Sequence, residues 1–234
     1  MKITDDGLFL YSKSFGENSK ILYILSKNYG LVKGLSKYSK SKKHNLINFD
    51  KIKFTWSSRD KNALGFINFE QRDSNSFDDY IFSIIKASAS ELCIKFLPLW
   101  EKNLDIYNDI LDLAYMQLKN KSYMIGKYIH WEINFLKNLG YGLNIELCAV
   151  SGKTEDVYFI SPKTGNAVTF NVGKRFSKQL FKIPNCMKDN FKKDYYDDYK
   201  DALRITEFFF LKIIDKHDYR FVFRDQIKNQ IQNL

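Results

Sequence analysis

This sequence has little of what most enzymes and secreted proteins are built with. It has three cysteines, Cys93, Cys148 and Cys186, an odd number at wide spacings. That excludes a disulfide framework and fits a reducing compartment. It has three histidines, His44, His130 and His217, too far apart for metal spacing and without a nucleophile beside them. No apolar run reaches the ~18 residues of a membrane span. The opening residues 1–7 are polar, include Asp5 and Asp6, and carry no secretory signal pattern. Gly152-Lys153-Thr154 imitates the end of a phosphate-binding loop, but that loop needs glycine at position 147, which is Leu147. No dinucleotide fingerprint and no paired acids on one element are present. The expectation is a cytoplasmic binding protein with no catalytic residues and no cofactor.

What the chain has in excess is positive charge. The net charge is +10 over 234 residues. Lys27, Lys33, Lys37, Lys40, Lys42, Lys43, Lys51, Lys53, Arg59 and Lys61 face only Asp50 and Asp60 over residues 27–61. Most of the net charge therefore sits in one early segment, the footprint of a surface that meets phosphate. Lysine is abundant throughout, so the clustering is a better guide than the overall pI. Lys33, Lys37, Lys40, Lys42, Lys43, Lys51, Lys53 and Arg59 are the candidate nucleic-acid contacts. Tyr38, in the polar connection, is the candidate base-stacking residue. Ile52, Phe54 and Trp56 alternate with Lys51, Lys53 and Thr55, which puts the apolar set inward and a cationic face outward.

Residues 1–74 read as five short strands: 7–15, 20–27, 31–35, 50–57 and 63–72. A basic connection, 36–48, precedes the fourth. Five strands with no helix between them predict a small closed barrel of the OB type, a nucleic-acid-binding domain. From residue 75 the period becomes helical. Helices are expected from about Ser76, capped by that serine, to Pro98, and then over 105–119, 122–139 and 198–216. A turn-rich insertion at about 141–174 carries a hairpin, 157–160 against 166–170, followed by a short helix near 175–181. The fold class is therefore α+β: a five-stranded OB-type barrel (1–74), then a helical domain (75–234) with a small hairpin insertion. The 122–139 helix is apolar nearly all round and is predicted to be central. Gly140 should stop it as a C′ residue. Glu132 among its apolar neighbours reads as a buried, hydrogen-bonded structural carboxylate.

Several runs together resemble the bacterial recombination mediator family RecO. They are GYGLNIELCAVSG at 140–152, the preceding Trp131-Glu132 with Leu136 and Leu139, and FISPKTG at 159–165. The opening strand, the turn at 16–19 and YGLVKG at 29–34 fit as well. The resemblance implies binding of single- and double-stranded DNA, annealing of complementary strands, and help in loading recombinase onto coated single-stranded DNA. It also implies contact with a RecR-like partner and with the C-terminal tail of the single-strand-binding protein. That tail would meet Lys127, His130 and Lys137 on the central helix. Many members hold zinc with two Cys-x-x-Cys pairs. Here Cys148 keeps one position, Ser151 stands at the second, and no cysteine lies between Ala149 and Lys182. A closed zinc site needs four such ligands, so the chain is expected to be metal-free. From composition alone, an RNA-binding OB module in RNA processing or translation remains open, because phosphate contacts and stacking serve both polymers. A small-molecule enzyme also remains open, though no reactive constellation supports it.

Overall fold

The computed structural model describes residues 1–37, 46–73, 79–117, 119–188, 196–214 and 219–232. Backbone contacts divide the chain into two compact units, Met1–Met116 and Gln117–Leu234.

The first unit is built on five strands: β1 (Lys2–Ser14), β2 (Ser19–Ser26), β3 (Gly30–Lys37), β4 (Lys51–Ser57) and β5 (Gly65–Asp73). They close into a barrel in the order β1-β2-β3-β5-β4. All neighbours are antiparallel except β3 and β5. The period-two pattern sends Ile3, Phe9, Leu22, Ile24, Val32, Ile52, Phe54, Trp56 and Ile67 into one interior cluster. Each large apolar side chain so buried contributes about 1.5–3 kcal/mol. Trp56 is the largest, and Gly65 makes room for it: a β-carbon on Gly65 would overlap the indole. The Trp56 Nε1–H donates to the Lys33 carbonyl at 3.1 Å, so the core residue pins the strand that carries Lys33. Trp100 packs edge-on against Trp56, with ring centroids 4.6 Å apart.

The fourth strand starts one residue later than expected. Phe49 sits in the turn before it with φ of 72° and is fully buried. Asp50 is also fully buried. Its carboxylate accepts from the Ile47 N–H at 2.9 Å and the Gln71 Nε2 at 3.0 Å. The acid counted against the basic segment is therefore committed to holding the end of that segment inside.

Two helices complete the first unit, α1 (Tyr80–Phe96) and α2 (Leu104–Ala114). Asp79 caps α1, accepting from the Phe82 N–H at 2.8 Å. The cap expected at Ser76 lies outside the described residues. The second helix ends earlier than its periodicity predicted, at a cap residue, Tyr115, whose hydroxyl donates to Asp73 at 3.2 Å. Leu118, expected on its inner face, lies outside the described residues.

The second unit is organised around α3 (Lys121–Asn138). Asn120 caps it through the Tyr123 N–H at 2.8 Å. At the other end Gly140 takes φ of +84°. Its N–H donates to the Lys137 carbonyl and that of Tyr141 to the Leu136 carbonyl, the double bond of a Schellman cap. Tyr128, Ile129, Trp131, Phe135 and Leu136 are buried, as a central helix requires. The expected hairpin is present as β7 (Val157–Ile160) and β8 (Asn166–Thr169). It belongs to a four-stranded sheet, β6-β8-β7-β9, with β6 (Asn144–Cys148) and β9 (Phe181–Lys182). A short helix α4 (Phe170–Gly173) runs into a 3-10 turn, Lys174–Gln179. The helix expected at 175–181 is thus cut short, because Phe181–Lys182 pairs with Phe159–Ile160. Helices α5 (Asn185–Lys188), α6 (Tyr196–Ile214) and α7 (Val222–Gln232) follow. The last was not expected from periodicity.

The α3 carboxylate expected to be structural is the hub of this unit. Glu132 is fully buried. It accepts from Tyr128 Oη at 2.6 Å and from Thr206 Oγ1 at 2.5 Å. Its ion-pair partner is Arg224 of α7, also fully buried, with Nε at 2.7 Å and Nη2 at 3.1 Å. Arg224 also donates to the Leu203 carbonyl, and its Nη1 lies 3.5 Å from Glu207. Burial alone would lower the guanidinium's pKa; the Glu132 charge outweighs it and holds the pKa above its ordinary value.

Candidate nucleic-acid interface

The barrel's cross-strand register sets which outward side chains are neighbours. Tyr11 pairs with Tyr23, and Tyr23 with Lys33. In the next row Lys13 pairs with Ile21, Ile21 with Leu35, and Leu35 with Phe66. Lys37, exposed at the end of β3, pairs with Ser19. The face of β1, β2, β3 and β5 thus lines up three aromatic rings and three lysines. Tyr11 is 48% exposed and Phe66 54%. The Tyr11 and Tyr23 rings lie 6.3 Å apart and tilted by 39°. None of the residues in these rows is acidic. Rings that stand out of a sheet beside cations suit an unpaired strand: bases stack on the rings and phosphates meet the lysines.

The β4 lysines have a different setting. Lys53 is exposed, but its cross-strand partners are Asp6 and Glu70. Lys51 pairs with Asp73, and its ammonium lies 4.0 Å from the centre of the Tyr115 ring. Burial and the Asp73 charge push the Tyr115 phenol up to about 12. Lys86 is buried in α1; desolvation lowers its pKa, and Asp50 partly offsets this. Lys51 and Lys53 therefore lie among acids, whereas Lys33 and Lys37 do not. Arg59 is exposed in the turn between β4 and β5. Tyr38, Lys40, Lys42 and Lys43 lie outside the described residues. Trp56 and Phe54, read as core from their alternation, are buried. Tyr11, Tyr23 and Lys13 were not singled out from sequence. The signal was there in the outward positions of the first two strands, but it needed the register to join them.

On the second unit, Lys127, His130, Asn134 and Lys137 follow helical spacing along one stripe of α3. Lys127 and Lys137 are exposed and His130 is half-buried. His130 Nε2 lies 3.4 Å from Asn134 Nδ2. Burial, and then the Lys127 charge, lower its pKa below the ordinary histidine value.

The residues around Cys148 do not fit zinc. The Cys148 Sγ accepts from the Ser151 N–H at 3.4 Å and lies 4.0 Å from Thr169 Oγ1. Burial would raise the thiol's pKa, but hydrogen bonds, Ser151's first, bring it to about 6. Among the described residues no three His, Cys, Asp or Glu side chains converge as metal ligands would. No helix among the described residues is long and apolar enough to cross a membrane.

Comparison with known proteins gives this arrangement its context. A family profile described as Recombination protein O N terminal matches residues 1–74, and one described as Recombination protein O C terminal matches residues 79–212. The DNA repair protein RecO of Ehrlichia chaffeensis is 32% identical over 97% of both chains. That of Wolbachia pipientis subsp. Culex pipiens is 29% identical over 92% of both. The DNA repair protein RecO of Rickettsia canadensis is 30% identical over 90% of this chain and 88% of its own. With both parts of the chain matched and relatives aligned along nearly its whole length, this chain belongs to the RecO family of bacterial recombination proteins.

Proposed function

We infer that this chain is a recombination mediator of DNA repair that works by binding and not by bond-making chemistry. It takes up single-stranded DNA on the barrel face of Tyr11, Tyr23, Phe66, Lys13, Lys33 and Lys37, and it also binds duplex. The observation that carries this reading is the acid-free register of rings and lysines across β1, β2, β3 and β5. The adjoining segment with Lys40, Lys42 and Lys43 adds phosphate contacts, and Arg59 extends them at the β4–β5 turn. Neutralising phosphates lowers the repulsion between two strands, and counterion release supplies the free energy. Annealing of complementary strands follows from that physics. Family membership supports the further roles: contact with a RecR-like partner, and recombinase loading on strands coated by the single-strand-binding protein. The acidic C-terminal tail of that coating protein fits the stripe of Lys127, His130 and Lys137, where the two lysines supply the charge.

The reading is tested by strand annealing and by paired affinities for DNA and RNA of one sequence at two salt concentrations. Faster annealing of DNA and tighter binding of DNA than RNA are expected. Equal or tighter RNA binding without annealing would move the chain to RNA processing.

A further inference from the structure

The second unit holds a basic, aromatic surface apart from the α3 stripe. Residues 157–188 contain Lys163, Lys174, Arg175, Lys178, Lys182 and Lys188, and no Asp or Glu. The 3-10 turn Lys174–Gln179 is exposed at every position, with Phe176 at its middle 57% exposed. Among the described residues, no carboxylate forms an ion pair with Lys174, Arg175, Lys178, Lys182 or Lys188. The turn is fixed to the small sheet: a β-carbon on Gly173 would run into Phe159, Val168 and Leu180. Beside it, Phe170 packs edge-on to Tyr158, with centroids 5.3 Å apart. The ammonium groups of Lys182 and Lys188 lie 5.5 and 5.0 Å from the Tyr158 ring centre. The surface has borders. The Asp156 carbonyl receives the Phe170 N–H, and the Asp198 carboxylate receives the Asn185 N–H.

We propose that this surface, centred on Lys174, Arg175, Phe176 and Lys178, is a second single-strand-binding site, separate from the barrel face. The exposed rings offer stacking to bases and the cations meet phosphates, without base specificity. A solvated charged face would not need Phe176 and Phe170 held out among the cations. One chain would then hold two strands on two units, which is what annealing requires. The proposal rests on the DNA-binding reading above and adds a second site to it.

The test uses the full chain and a short fluorescent poly-dT oligonucleotide. The parent is expected to bind two oligonucleotides per chain. The triple variant Lys174→Glu, Arg175→Glu, Lys178→Glu should bind one, with the remaining site's affinity unchanged and annealing slowed. Phe176→Ala should weaken the second binding event about ten-fold. The barrel variant Lys13→Glu, Lys33→Glu, Lys37→Glu should also bind one. These side chains are exposed or half-exposed, so unchanged circular dichroism and melting are expected for each variant. A folded Lys174/Arg175/Lys178 variant with the parent's stoichiometry and annealing rate would overturn the second site and leave the barrel reading intact. A barrel variant that binds nothing would do the same. A parent that binds no oligonucleotide would overturn both. If a poly-glutamate peptide binds the parent but not the triple variant while oligonucleotide binding stays the same, the surface docks protein and the proposal fails.

Discussion

The Glu132–Arg224 pair joins α3 to α7 through two residues 92 apart in sequence, and its removal has a calculable cost. Replacing Arg224 with Met keeps most of the side-chain volume and removes the guanidinium. Glu132, fully buried, then loses both bonds at 2.7 and 3.1 Å and keeps those from Tyr128 and Thr206. Breaking a buried pair on one side costs about 3–5 kcal/mol, because one charge is left without its partner. Whole domains are stable by only about 5–15 kcal/mol, so the second unit should lose at least about a fifth of its stability. The double variant Glu132→Leu, Arg224→Met removes both charges. It should recover most of the loss, since a buried pair is often no better than a well-packed apolar one. Urea unfolding followed by Trp131 fluorescence, in a background with Trp56 and Trp100 replaced by Phe, reads the second unit. A loss below about 1 kcal/mol for Arg224→Met would show that the pair does not hold α7 to α3. So would a double variant that is worse than either single.

Other expectations follow from the same structure. Gly65→Ala should destabilise the first unit by about 1–3 kcal/mol, the usual cost of overpacking, because its β-carbon meets the Trp56 indole; a melt unchanged from the parent would contradict the packing. His130 should titrate below the ordinary histidine range by NMR, since burial and Lys127 lower its pKa. The unfolded chain then binds the proton more readily. Stability contributed by neutral His130 is present above about pH 6.5 and is lost as pH falls towards the folded pKa; a titration at or above 6.5 would refute this. Lys127→Glu should weaken binding of the coating protein's isolated tail peptide more than binding of DNA. Unchanged peptide affinity would remove Lys127 from that surface.

The barrel was legible because its strands alternate cleanly. Ile52, Phe54 and Trp56 against Lys51, Lys53 and Thr55 fix both the strand and its buried side. The helical stop at Gly140 was legible for a similar local reason, since a positive φ suits glycine. What the sequence did not reveal depends on partners distant in the chain. Arg224 looks like a tail residue until α7 returns it to Glu132. Asp50 looks like a counter-charge for the basic loop until its bonds to Ile47 and Gln71 are seen. The Tyr11–Tyr23–Lys33 row exists only through register, which a strand's own pattern does not specify. The short helix expected near 175–181 gives way to an exposed turn at 174–179 because Phe181 and Lys182 pair with β7, a partner distant in the chain.

The most direct test of the account is the salt dependence of single-strand affinity for the full chain and for the variant Lys13→Ala, Lys33→Ala, Lys37→Ala. Each phosphate contact removed should reduce the slope of log affinity against log salt by roughly 0.7, so about 2 in all. Phe66→Ala should instead lower affinity about ten-fold with the slope unchanged, as loss of stacking would. A folded triple-lysine variant with the parent's affinity and slope would contradict the claim that this barrel face receives the strand.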